Sequence, residues 1–478
     1  MHGIKRRAAI SLLSSYASQF ATTGANLLTK LILARLIAPE DLGLYALALL
    51  VLLGGDVLVD LGISQHIIRE KHRPYGNFLG LRLAISVGLF ATIQFAAPAL
   101  KFWGGEFPAV VRLMAITLVI KAASGVPLLF LDRELLIHRS VAPQIARITI
   151  MGLVSIGLAY FGYGVWALAW GTVASEAAFA VLIWNAARGR MPLEFTWKHT
   201  GSLIWGSKFL FFIGVMGFAL QQGDVGILGS LLPAREIGFY TMAIMLIMLV
   251  SKVVESAVFR VIYPMFCEYS DDLPNLGRAY RCATLAIYVI EVPIYFFLLF
   301  NSPAVVSVLL GRKWLPAAVL MQALSVFGML NPFSTFGNEV LRARKRDSIL
   351  TMSTAIGAVT LMTTGYLLTL RFGTMGMVAA HYIMIGSIPT IVTVFKMLRT
   401  EFTRLAVQLA VIYSGSFAVI GAVSMSLSFA PYFQALAAGL LVPVSWYTYY
   451  RIFGNGAGRA ALDTILARQP APRTEAAG

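Results

Sequence analysis

The side chains in this sequence that can do chemistry are ionisable and amide groups set inside long apolar runs. Gln19, Thr22, Asn26 and Lys30 recur at spacings of three and four, which lines them along one face of a helix. Lys121 stands near the middle of its own apolar run, too deep for easy snorkelling. Lys252, Glu255 and Arg260 share another run, with Lys252 and Glu255 spaced to pair on one helical face. A charged group in hydrocarbon costs about 2.5–3.5 kcal/mol on insertion scales, so groups placed this way face a wet cavity or one another. Their chemistry is recognition rather than bond-making. Lys30, Lys121, Lys252 and Arg260 can hold an anion such as a phosphate through charge-assisted hydrogen bonds, with the amides of Gln19 and Asn26 beside them.

The acids offer a second kind of chemistry. Asp56, Asp60, Asp224, Glu255 and Glu291 all fall within apolar runs, where a carboxylate can bind a coupling proton or Na⁺, or simply pair with a neighbouring helix. Asp224, beside Gln221 and Gln222, is the most cation-site-like of them. Structural alternatives stand next to each cation. Lys30 can snorkel to the interface, Lys121 can pair with Glu176, Glu255 can neutralise Lys252, and Arg35 and Arg260 can serve as interfacial anchors. His381 falls well within a span, and one buried histidine is more often structural than a relay.

Other chemistries find no support in the spacing. Cys267 and Cys282 lack the C-x-x-C neighbour of a metal or redox site, so neither a metal nor a disulfide is expected. No Gly-Lys pair occurs, which excludes a G-x-x-x-x-G-K-[ST] phosphate loop and leaves ion gradients as the energy source. No catalytic set and no cofactor are expected.

The elements that position these groups follow from composition. Charged residues make up 13% of the chain against roughly 25% in ordinary soluble proteins, and the mean hydropathy is +0.77. The 478 residues therefore belong in lipid. The net charge of +16 sits mostly in short segments between apolar runs, as topology signals do, and does not indicate nucleic-acid binding. A bilayer core takes about 20 apolar residues per helix. Runs of that size lie near residues 8–37, 42–68, 78–100, 109–131, 139–161, 164–187, 201–231, 236–266, 278–302, 315–341, 348–370, 375–397, 404–428 and 432–451. About fourteen transmembrane helices are expected.

Alternate junctions carry the basic residues, among them Lys5-Arg6-Arg7, Arg69/Lys71/Arg73, Arg188/Arg190/Lys198, Arg342/Arg344/Lys345/Arg346 and the tail from Arg451. The opposite junctions are poor in them, Arg312-Lys313 excepted. Both termini are therefore predicted cytoplasmic. Prolines 127, 293, 332 and 389 are candidate kinks.

An internal repeat organises the runs. Leu42-Gly43-Leu44-Tyr45-Ala46-Leu47-Ala48 matches Ile237-Gly238-Phe239-Tyr240-Thr241-Met242-Ala243 at an offset of 195 residues. The same offset pairs Asn26 with Gln221, Asp41 with Glu236, and Asp60 with Glu255. Phe161-Gly162-x-Gly164 corresponds, one insertion later, to Phe372-Gly373-x-x-Gly376. Six helices per repeat, an even number, relate two lobes by a pseudo-two-fold axis along the membrane normal. The expected organisation is an all-α polytopic membrane protein. It has an N-terminal six-helix lobe at 1–190, a C-terminal six-helix lobe at 191–400, two additional transmembrane helices at 401–453, and a disordered cytoplasmic tail at 454–478.

The segment Ala34-Arg35-Leu36-Ile37-Ala38-Pro39-Glu40-Asp41-Leu42-Gly43-Leu44-Tyr45, followed by Asp60-Leu61-Gly62-Ile63-Ser64-Gln65, resembles the start of a known family. This is the polysaccharide transporter family, the Wzx-like O-antigen and exopolysaccharide flippases of the multidrug/oligosaccharidyl-lipid/polysaccharide exporter superfamily. Leu131-Asp132-Arg133-Glu134-Leu135 and Asp224-Val225-Gly226-Ile227-Leu228-Gly229 extend the likeness, which covers about residues 8–400. The resemblance implies a two-lobed flippase of the bacterial inner membrane that carries an undecaprenyl-pyrophosphate-linked oligosaccharide. Its partners would be that lipid, the surrounding membrane lipid, and polymerase and chain-length or export proteins of a polysaccharide pathway. Competing readings are a multidrug/cation antiporter of the same superfamily, a membrane polysaccharide polymerase or ligase, and a scaffold. The antiporter would need a cavity dominated by acids and aromatics, and the enzyme a long external loop.

Overall fold

The computed structural model describes residues 24–69, 75–188, 191, 200–384 and 388–426, and those residues are helical with no strand. Residues 24–36 form the described part of a first helix, α1. It is followed by α2 (Pro39–Asp60), α3 (Ile63–Arg69), α4 (Tyr75–Ala96) with a 3-10 extension Ala97–Trp103, α5 (Phe107–Arg133), α6 (His138–Tyr160) and α7 (Val165–Ala187). Then come α8 (Thr200–Leu231), α9 (Ala234–Glu268), α10 (Leu273–Leu309), a 3-10 turn Arg312–Trp314, α11 (Pro316–Ala343) and α12 (Asp347–Phe372). The described chain closes with α13 (Thr374–Met384), α14 (Ile388–Met397) and α15 (Arg399–Ser426).

Among the described residues, 12 helices are long and apolar enough to cross a membrane, and they coincide with the second to thirteenth expected runs. The fourteenth expected run, the tail and Gln19 and Thr22 of the polar stripe lie outside the described residues. Sequence signals explain the boundaries. Pro39 opens α2 with Glu40 and Asp41 in its first turn, where fixed φ and negative charge both suit a helix N-terminus. The second run is broken, however. Leu61 (φ 49°) and Gly62 (φ 71°) enter the left-handed region, so α2 ends at Asp60 and α3 starts at Ile63. The expected proline kinks do not interrupt helices: α5, α10 and α11 run through Pro127, Pro293 and Pro332, and Pro389 lies at the start of α14.

Contacts divide the chain into two compact units. The first comprises residues 1–241, 309–313 and 369–374. Its core includes Ile63, Ile67, Tyr75, Phe78, Val126, Phe130, Phe179 and Ile183, which draw α3, α4, α5 and α7 together. The second comprises residues 242–308, 314–368 and 375–478. Tyr288, Phe296, Phe333, Tyr413 and Phe417 form an aromatic cluster there between α10, α11 and α15.

Within the first unit the repeat offset reappears as a contact. A Cβ added at Gly43 of α2 would stand 2.6 Å from the Ala234 carbonyl carbon, and one added at Gly238 of α9 would stand 2.8 Å from that of Pro39. Pro39 and Ala234, like Gly43 and Gly238, are 195 residues apart, so the crossing maps onto itself under the repeat. Each helix presents its glycine one turn beyond the carbonyl it offers, the small-xxx-small arrangement that lets backbones approach closely. A second exchange lies nearby. Lys313 donates to the carbonyls of Arg35 at 2.9 Å and Ile37 at 2.7 Å, at the end of α1, while Trp103 Nε1 donates to the Gly229 carbonyl at 2.6 Å, near the end of α8. Lys313, the exception in the charge pattern, thus caps a helix C-terminus, where a cation is favoured. Burial pulls its ammonium below the ordinary lysine value, and Asp41 opposes that shift.

Candidate functional site

The bend at Leu61-Gly62 creates a cavity in the first unit. A side chain at Gly62 would collide with the backbone of Leu210 and Phe211, so the bend packs directly on α8. Between α2–α3 and α8 a space of about 440 Å³ remains, with polar groups supplied by Asp56, Asp60, Gln65, Gln221 and Gln222 and apolar walls including Phe211 and Phe218. Its size is within the range of small-ligand sites, about 300–1,000 Å³.

Each acid on the wall already holds a cation. Lys121 of α5 donates to Asp56 at 2.8 Å, and both side chains remain partly exposed, at 23% and 28%. Arg82 of α4 donates to Asp60 at 2.9 Å, and Ser64 also donates to Asp60. The Arg82 guanidinium lies over the Phe78 ring at 5.2 Å to its centroid, and Gly125 makes room for it: a Cβ there would be 2.9 Å from Arg82 Cζ. The wall therefore presents two neutralised pairs, one tightly enclosed at Arg82 and one looser at Lys121.

The candidates from the sequence fall in several places. Asp56 and Asp60 line the cavity, and Lys121 stands behind Asp56 rather than among the lining residues. The partner of Lys121 is Asp56 rather than Glu176, because Arg147 of α6 takes Glu176 at 3.3 Å inside the bundle. Asn26 and Lys30 lie on exposed positions of α1, and Arg35 Nε donates to the Leu309 carbonyl at 3.3 Å. Gln221 and Gln222 reach the cavity, but Asp224 does not: it is buried and accepts from the Tyr240 hydroxyl at 2.7 Å. In the second unit Lys252 is exposed and forms no ion pair with Glu255 among the described residues, Glu291 is fully buried, and Arg260 lies on α9 with its side chain outside the described residues. His381 Nδ1 donates to the Met377 carbonyl, 3.0 Å away within its own helix, as a structural histidine does.

Sequence reasoning missed Arg82 and Gln65. Arg82 lies only a turn inside its apolar run and reads as an interfacial anchor. The available signal was its pairing requirement: an arginine inside a span calls for an acid, and Asp60 sits in the neighbouring run.

This architecture is that of solved membrane transporters. It superposes on the lipid II flippase MurJ in an inward closed conformation with a TM-score of 0.75 at 13% identity, covering 96% of this chain and 100% of that one. An outward-facing multidrug resistance MATE family transporter of the MOP superfamily gives 0.52 at 16% identity, over 84% of this chain and 96% of that one. The fold thus defines a multi-pass helical membrane protein. Residues 32–319 match the polysaccharide biosynthesis protein family, and the chain belongs to that family.

Among its relatives are the succinoglycan biosynthesis transport protein ExoT of Rhizobium meliloti (strain 1021), 26% identical over 336 residues, covering 67% of this chain and 66% of ExoT. The teichuronic acid biosynthesis protein TuaB of Bacillus subtilis (strain 168) is 19% identical over 61% of this chain and 62% of TuaB. The lipopolysaccharide biosynthesis protein WzxC of Escherichia coli (strain K12) is 20% identical over 68% of each. The matches to ExoT and TuaB span just under two thirds of those proteins' length.

Proposed function

We propose that this protein flips an undecaprenyl-pyrophosphate-linked oligosaccharide across the bacterial inner membrane, by alternating access of two six-helix lobes at residues 1–190 and 191–400. The glycan would serve exopolysaccharide, O-antigen or capsule assembly, and both termini would face the cytoplasm. The observation that carries the reading is the exchangeable pair Asp56–Lys121 at a cavity of about 440 Å³. A pyrophosphate brings about two negative charges and needs fixed donors to leave water. Lys121, held by one partly exposed carboxylate, can transfer to such a group, whereas Arg82, enclosed by Asp60, Phe78 and Gly125, keeps the wall in place.

The antiporter alternative asks for free carboxylates in the cavity, and both Asp56 and Asp60 are engaged by cations. An inside-negative potential, worth about 2.3 kcal/mol per charge per 100 mV, favours outward movement of an anionic head. The test is the location of lipid-linked repeat units in a deletion strain, read by their accessibility to a periplasmic sugar-modifying enzyme. Wild type should restore exposure and Lys121→Ala should not. Normal exposure without the protein, in a strain with no redundant flippase, would overturn the proposal.

A further inference from the structure

In the second unit, α9, α10 and α11 surround a pair of carboxyl groups that the cavity does not use. Glu291 of α10 is completely buried, and neither of its carboxyl oxygens has a hydrogen-bond partner. Glu255 of α9 has one oxygen buried without a partner, its carboxyl lies beside the Thr335 hydroxyl of α11, and its charge acts on Glu291.

The groups facing this pair are hydroxyls and rings. Tyr288, one turn before Glu291, is completely buried, and its hydroxyl makes no hydrogen bond of good geometry. Tyr295, one turn after, shares a 2.7 Å hydrogen bond with Ser251 of α9. Tyr413 of α15 donates to the Met329 carbonyl at 2.6 Å, and Phe333 of α11 lies 5.2 Å from the Tyr288 ring, centroid to centroid. Lys252, one turn before Glu255, is exposed, and among the described residues no lysine, arginine or histidine pairs with either carboxyl.

Two bare carboxylates cannot persist in such a place. Each ionised carboxylate removed from water without donors costs several kcal/mol, and a second like charge adds to that; the Ser251–Tyr295 hydrogen bond, one turn from each acid, brings α9 and α10 together at this level. The repeat sharpens the contrast, since Asp60, the counterpart of Glu255 at the 195-residue offset, holds Arg82 as its cation. Glu255 faces a second acid instead. Among the described residues no third acid, histidine or cysteine joins the two carboxyls to form a metal-holding group. A proton needs only one carboxyl.

We infer that Glu255 and Glu291 form a proton-binding site in the second unit, loaded and unloaded once per transport cycle. The cycle rests on the transport reading above; proton binding does not. The site is placed to move helices. Pro293 lies two residues beyond Glu291, and Pro332 three residues before Thr335, so both α10 and α11 lack one backbone hydrogen bond beside the carboxyls and bend there at low cost. Loss of the proton leaves a charge that these helices must open to hydrate; its return lets them close.

Two measurements on the full-length protein test this. Infrared difference spectra in lipid nanodiscs, titrated with pH, should show a protonated-carboxyl band that Glu291→Gln removes and Glu255→Gln shifts. In proteoliposomes containing a pyrophosphate-linked polyprenyl disaccharide, a gradient of one pH unit should change the initial flipping rate by up to about tenfold, and Glu291→Gln should cut that ratio below about twofold. Glu291→Gln is nearly isosteric, and an unchanged or raised melting temperature should confirm that it folds; Glu255→Gln provides the second variant. Persistence of the band or of the full pH response in both variants would overturn the inference, as would a wild-type response to a Na⁺ gradient alone. A titrating band in a wild type that flips no lipid would instead refute the transport reading and leave the proton site standing.

Discussion

The crossing of α2 and α9 supports a prediction with a magnitude. An alanine methyl at Gly43 would overlap the Ala234 carbonyl oxygen and sit 2.6 Å from its carbon, where ordinary contact begins at 3.4 Å, so the helices must part by more than the 0.8 Å that the carbon alone demands. At Gly238 the methyl would overlap the Pro39 carbonyl oxygen in the same way, with its carbon at 2.8 Å. The obstacles are backbone groups inside helices, which cannot swing aside as a side-chain end can. Overpacking of this kind costs about 1–3 kcal/mol for either substitution. One separation of the two helices relieves both clashes, so Gly43→Ala/Gly238→Ala should cost little more than Gly43→Ala alone, with a coupling of about 1–2 kcal/mol in the double-mutant cycle. Unfolding in mixed detergent micelles, with melting in nanodiscs as a check, measures the four proteins. Additive losses, or a Gly43→Ala variant within about 0.5 kcal/mol of wild type, would refute the reciprocal crossing.

Three further outcomes follow from ion pairs and the space around them. Lys121→Met strands Asp56, but both side chains are partly exposed, so screening should hold the loss to about 1–2 kcal/mol, and Asp56→Asn added to it should recover most of that in denaturant titration. A double variant no better than the single would count against the pair. Gly125→Leu should push the Arg82 guanidinium off Asp60, so its destabilisation and that of Arg82→Met should fail to add; strict additivity would mean that Gly125 does not serve Arg82. In the second unit Glu401 joins Arg281 at 2.6 Å and Arg404 at 2.9 Å. Arg281 and Glu401 are each 11% exposed, so Glu401→Ala should cost about 3 kcal/mol, whereas Arg404→Gln, on a side chain 70% exposed, should stay within about 0.5 kcal/mol. Similar losses from both would show that burial does not set the strength of this network.

Lys121 shows how far one-dimensional reading reaches. Its depth in an apolar run is a local property, and it is enough to demand a partner. Its partner was not legible: Glu176 and Asp56 both lie in neighbouring runs, and the packing of α5 against α2, with Arg147 turned to Glu176, decides for Asp56. Lys252 and Glu255 illustrate the same limit at short range. Their spacing permits a pair, yet Lys252 is exposed while a Glu255 oxygen is buried toward the α10–α11 side. Arg82 was passed over because its position near the end of a run matches a simple anchor until Asp60 is seen beside it.

Hydropathy sufficed for the helical membrane class and for the positions of most spans, and the motifs at 34–45, 60–65, 131–135 and 224–229 for the resemblance to polysaccharide exporters. Each rests on the identity of neighbouring residues, which a chain carries whether folded or not. Pairing across helices is different in kind. Each residue turns a helix by about 100° and advances it about 1.5 Å, so which groups meet depends on the rotation, depth and bend of both partners. The left-handed turn at Leu61-Gly62, the seating of that turn on α8, and the isolation of Glu291 from every described cation are settled by packing of segments far apart in sequence. That is why the residues able to do chemistry could be listed from the chain, while their assignment to cavity wall, helix cap or buried acid pair required the folded molecule.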